Sequence, residues 1–165
     1  MNRNLGRAAG AALMAAFAFG QAQAATSDCW SAQEISAAKV RDLQTMLMVA
    51  GLRCRSTGTD VLAGYNRFVA NNRMAIVEVN NRLKGHFNAA YGAVEGQRSY
   101  DRFTTALANA YGAGAEGAGN CADMANLADD AAAARAPGAL HALAASRGMS
   151  PDLPTRRCPV QIAAK

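Results

Sequence analysis

Apolar residues recur along this chain at intervals of three and four, the period of a helix face. "SAQE", Ser31 to Glu34, opens the first such stretch. A serine followed three residues later by a glutamate is a capping box, in which each side chain satisfies an orphan backbone N–H of the first turn. The apolar positions then run Ile35, Ala38, Leu43, Met46, Leu47 and Ala50, with Gly51 as the expected stop. A second stretch starts near Thr59 or Asp60 and sets Val61, Leu62, Tyr65, Phe68, Val69, Ile76, Val79, Leu83 and Phe87 on one stripe. The spacing predicts a long helix interrupted at Asn72, with Gly85 near its end. A third helix is predicted from Ser99 to Gly112, with Tyr100, Phe103, Leu107 and Tyr111 on one face. A fourth runs from about Asn120 to Ala134 through Met124 and Leu127. Pro137 then opens a short fifth helix that Gly148 closes. The tail, from about residue 149 to 165, holds Pro151, Pro154 and Pro159 and reads as extended.

Helices of this length with short links predict an all-α protein, an up-and-down bundle of four main helices plus a short C-terminal one. That topology constrains the cysteines, Cys29, Cys54, Cys121 and Cys158. The first helix separates Cys29 from Cys54 by roughly 35 Å at the rise of an α-helix. A disulfide needs Cα atoms within about 7 Å. The first helix descends to Cys54, the second returns, the third descends again, and Cys121 opens the fourth at the same end. The expected pairs are therefore Cys54–Cys121 and Cys29–Cys158. Metal binding is the rival use of cysteine, but it wants close pairs such as C-x-x-C, and these four are far apart. His86 and His141 have no His or Cys within helical reach. No metal and no cofactor are expected.

The N-terminus changes the picture. Arg3 and Arg7 precede an uncharged run from Ala8 to Gly20, followed by Ala22-Gln23-Ala24. This is the tripartite pattern of a signal peptide, with an apolar run too short to span a bilayer. Residues 1–24 are expected to be removed, leaving residues 25–165 as a single domain in the periplasm or secreted. Thr26-Ser27-Asp28 before Cys29 lack the aliphatic and small residues of a lipid-anchor site. An even number of cysteines in an exported chain fits two disulfides. The formal charge of +5 falls to +3 without Arg3 and Arg7, and the remaining basic residues form no stripe. Nucleic-acid binding is not expected, nor is stable membrane insertion.

Candidate chemistry is sparse. "GAGAEG", Gly112 to Gly117, matches G-x-G-x-x-G, but a predicted helix precedes it and no acidic residue follows at the required distance, so it reads as a linker. No G-x-S-x-G elbow is present. The carboxylates Glu34, Glu78, Glu95, Asp101 and Glu116 show no spacing that pairs two of them for glycoside cleavage. His86 is placed near a helix end, where it would favour the dipole. Asn72 falls on the apolar side of its helix, where a buried amide needs partners and would fix helix register. Tyr-x-Arg-Phe occurs twice, at Tyr65–Phe68 and Tyr100–Phe103. Positions three apart share a helix face, so each copy supplies an aromatic pair, expected in one layer of the core. The sharper reading has Tyr65, Arg67, Tyr100 and Arg102 lining a cleft for a small anionic ligand.

"KVRDLQTMLMVAGLRC", with "YNRFV" and "YDRFTTALANAYG" after it, resembles a group of short, exported, uncharacterised helical proteins of Gram-negative bacteria. The likeness covers about Cys29 to Cys121. Some members carry the label S-adenosyl-L-homocysteine hydrolase. True hydrolases of that name are much larger and hold NAD in a Rossmann domain, for which this chain offers only "GAGAEG". The expectation is a non-catalytic binding or structural protein of the cell envelope, with an envelope protein or a small anionic ligand as partner. The alternative is a small envelope hydrolase whose carboxylate is Glu78 or Asp101.

Overall fold

The computed structural model describes residues 29–113, 120–136 and 138–159. The expected signal peptide, most of "GAGAEG", Pro137 and the last six residues lie outside the described residues. Within them the protein is all-α. The helices are α1 (Ala32–Arg53), α2 (Val61–Asn71), α3 (Arg73–Gly112), α4 (Cys121–Ala133) and α5 (Ala139–Ser146), with a 3-10 turn at Cys54–Ser56. Both disulfides join the cysteines that topology selected, Cys29–Cys158 and Cys54–Cys121.

The Ser31/Glu34 capping box starts α1 as expected, with the Ser31 N–H donating to Glu34 Oε2 at 2.7 Å. The body of α1 is not half-buried but enclosed. From Ala37 to Gly51, twelve residues of α1 are buried, including the polar Asp42, Gln44 and Thr45. The helix is the axis of the molecule, packed by α3, α2, α5 and α4. Its apolar residues extend round much of the helix, as suits an element packed by others on several faces.

The predicted second helix divides at Asn72, which is buried. Its side-chain N–H₂ donates to the carbonyls of Phe68 (3.2 Å) and Ala131 (3.0 Å), tying the joint to α4. Asn71 donates to Ala132 O beside it. Gly64 allows α2 and α4 to approach closely, for a Cβ there would stand 2.8 Å from that of Ala128.

The sequence-based boundary between the second and third helices needs correction. The chain stays helical past Gly85 and reverses at Gly92, at φ 77° and ψ 168°, a conformation open in practice only to glycine. The two limbs of α3 on either side of Gly92 form a hairpin. Gly96 meets the first limb so closely that a Cβ would stand 2.7 Å from Asn88 Cα and Phe87 O. Glu95, expected in a connection, is therefore helical, and His86 is not at a helix end.

The aromatic layer is also placed differently. Tyr65 and Phe68 pair edge to face at 6.2 Å. Tyr100 and Phe103 instead pack on Phe87, at 6.3 and 5.7 Å. Trp30, fully buried, completes that second cluster against His86, Phe87 and Phe103. After α5 the chain runs extended to Cys158. Backbone hydrogen bonds from Trp30 N to Arg156 O and from Cys158 N to Trp30 O, both 2.9 Å, fasten this strap beside the start of α1.

Candidate functional site

The disulfide, the two backbone bonds around Trp30, and the half-buried Met149 and Leu153 hold the strap against the bundle. Between the strap and the second limb of α3 lies a groove of about 790 Å³. Phe103, Ala106, Leu107 and Ala110 form its apolar wall, and Phe87 and Tyr91 of the first limb close one end. The strap contributes Ser150, Pro151, Asp152 and Pro154. Phe87 is buried and stacks on Tyr91, which is exposed.

Polar groups sit at two places. At one edge Arg102 donates from Nη2 to Glu95 Oε1 (2.7 Å) and Ser99 Oγ (2.8 Å). The Arg102 hydrogen bond holds the Glu95 carboxyl below its ordinary value. At the floor, Asp42 reaches in from α1. It is 4 % exposed, and its Oδ1 accepts the hydroxyl proton of Tyr111 at 2.7 Å. Burial pushes the Asp42 carboxyl up, with the Tyr111 hydrogen bond acting against it. Burial, then the hydrogen bond to Asp42 and its charge, push the Tyr111 phenol upward as well, so it remains a neutral donor.

Of the four residues expected to share a ligand, only Arg102 lines this groove. Arg67 pairs with Asp129 of α4 at 2.5 Å, and Tyr65 is half-buried against the core. Tyr100 is buried against the first limb of α3, where its hydroxyl donates to Asn80 Oδ1 (3.1 Å) and Lys84 lies over its ring. The structure brings none of Tyr65, Arg67 and Tyr100 to Arg102's groove. The two carboxylates singled out in the sequence lie elsewhere too. Glu78 is exposed and bonded to Arg82, and Asp101 is exposed and accepts from Gln97.

Sequence reasoning did not find Asp42 and Tyr111 as a pair. They are 69 residues apart, and "VRDLQT" carries the polar pattern of a solvent-facing turn. His86 is another buried polar group, with Nδ1 3.2 Å from Glu34 Oε1 and its ring 4.1 Å from that of Trp30. Its two ring neighbours and the cap of α1 account for it structurally. Among the described residues no three His, Cys, Asp or Glu side chains converge as metal ligands, and no helix is long and apolar enough to cross a membrane.

These features define a disulfide-braced helical bundle with a groove beneath a strap. Compared with known protein families, curated proteins and solved structures, the chain matches none.

Proposed function

We propose that this is an exported, non-catalytic binding protein of the cell envelope that holds a small ligand under its C-terminal strap. The observation that carries the reading is the groove itself. Its volume of about 790 Å³ lies within the range of ligand sites, and it joins apolar walls to a few placed polar groups as such sites do. Two disulfides fit an oxidising compartment, and the N-terminal pattern of residues 1–24 supports export to the periplasm or beyond. The test is a ligand-observed NMR screen of the oxidised protein, repeated on Ala110→Trp, which fills the groove from an exposed position. Binders lost in the variant at unchanged thermal midpoint support the reading. Binders indifferent to the added indole place the site elsewhere. N-terminal sequencing of the exported chain should begin at Ala25.

A small envelope hydrolase is the second reading. Glu78 and Asp101 stand outside the groove, so this reading now rests on Asp42, a buried carboxyl raised above its ordinary value in a concave site. A cell-wall hydrolysis assay decides it: turnover abolished by Asp42→Asn would make the protein an enzyme.

A further inference from the structure

The charges of the groove are lopsided. Asp42, Glu95 and Asp152 are three carboxylates, and Arg102 is the one cation among the lining residues. Arg102 is already engaged by Glu95 and Ser99. That leaves Asp42 and Asp152 facing the groove without a counter-charge there. Asp42 is the more demanding of the two because it is buried. A buried carboxylate wants hydrogen bonds to both oxygens and an opposite charge. Tyr111 supplies one neutral hydrogen bond, to Oδ1. Among the described residues no donor reaches Oδ2 and no cation pairs with the group. The adjacent Arg41 turns its guanidinium to Gln44 instead. Aromatic rings stand at the same site, Phe87, Tyr91 and Phe103, and ring faces attract organic cations.

We propose that the groove binds a small organic cation, a protonated amine with an apolar or aromatic body, and that Asp42 is its counter-ion. The ammonium donates to the Asp42 oxygen that the protein leaves open, and the body lies along the apolar wall of α3. An anion of the same shape meets Asp42 and Asp152, and the one cation of the lining, Arg102, already has its charge offset by Glu95. This inference rests on reading the groove as a ligand site, and it reverses the sign of ligand charge that the two Tyr-x-Arg-Phe motifs suggested.

Three isosteric probes test it: phenethylamine, 2-phenylethanol and phenylacetate, each titrated into the oxidised, isotope-labelled protein at neutral pH and low salt. The amine should bind about tenfold more tightly than the alcohol, and phenylacetate more weakly than either. Shifts should concentrate between Phe87 and Tyr111. Asp42→Asn keeps an acceptor for the Tyr111 hydroxyl, and it should bring the amine to the affinity of the alcohol. Asp152→Asn, on the exposed strap, should cost the amine about two- to threefold through screened charge alone. If the amine and alcohol bind alike, or Asp42→Asn leaves the amine unchanged, the cation reading falls while the ligand groove stands. Preference for phenylacetate overturns it in the opposite direction. If none of the three moves a groove resonance, both the inference and the binding function fail.

Discussion

Asp42 and Glu34 are both carboxylates of α1, and their surroundings push them in opposite directions. Burial raises Asp42. Burial also acts to raise Glu34, but hydrogen bonds from the Ser31 hydroxyl and N–H, with the charge of His86, together bring it below its ordinary value. A raised acid holds its proton more tightly folded than unfolded, so its stabilising effect is lost as pH rises from the unfolded value through the folded one. Asp42→Asn should therefore raise the thermal midpoint at neutral pH, and the gain should vanish in acid where Asp42 is protonated in both states. A depressed acid behaves the other way: its contribution is complete above the unfolded value and lost as pH falls through the folded one. Glu34→Gln should lower the midpoint at neutral pH, and its deficit should shrink in acid. Paired melts of the two variants across the acid range check both signs. A gain for Asp42→Asn that persists in acid would show that its burial is not the cause.

At the scale of elements, the hairpin of α3 gives the sharpest expectations. Three of its four glycines, Gly85, Gly92 and Gly96, lie in or beside the turn and have different work. Gly85 has open space around it inside a regular helix, so Gly85→Ala should stabilise by about 0.5–1 kcal/mol. Gly96→Ala sets a methyl against the backbone of Phe87 and Asn88, which cannot yield as a flexible side chain would, and should destabilise by about 1–3 kcal/mol. Denaturant titration of the two variants checks the contrast, and equal effects would mean that the limbs do not cross at Gly96. The period of three and four located the apolar faces of the helices, though α2 and the first limb of α3 read as one interrupted helix and residues 88–98 as a connection. It could not choose which glycine turns the chain, since all three sit among ordinary helix formers and the choice depends on how the limbs meet. The same limit hid the site. Phe103 and Leu107 were legible as core, but the groove beside them needs the strap, which is placed by Cys158 and Trp30 from opposite ends of the chain.

For the molecule as a whole, the two disulfides divide the labour. Cys54–Cys121 closes the end where α1 passes to α2 and α4 begins, and Cys29–Cys158 closes the other, where the strap crosses the start of α1. Their pairing followed from helix geometry: a rod the length of α1 cannot bring its own ends together, and the directions of the later helices set Cys121 at the end of Cys54. Removing the second bridge with Cys29→Ser and Cys158→Ser has two consequences that separate. The bridged residues are 129 apart, of which 67 are already spanned by the intact bridge, so the freed ring is about 60 residues. Its chain entropy corresponds to about 4 kcal/mol of lost stability. The helical core, centred on α1, does not depend on that bridge for its contacts, so far-ultraviolet circular dichroism should stay near that of the parent at low temperature. The groove does depend on it, since one of its walls is the strap. The double variant should therefore lose binding of any groove ligand while remaining folded, whereas removing Cys54 and Cys121 should cost comparable stability and leave binding intact wherever the protein is folded. Affinity measured beside stability in both variants tests this division. Equal loss of affinity in the two would mean that the groove reports general loosening of the bundle rather than the position of the strap.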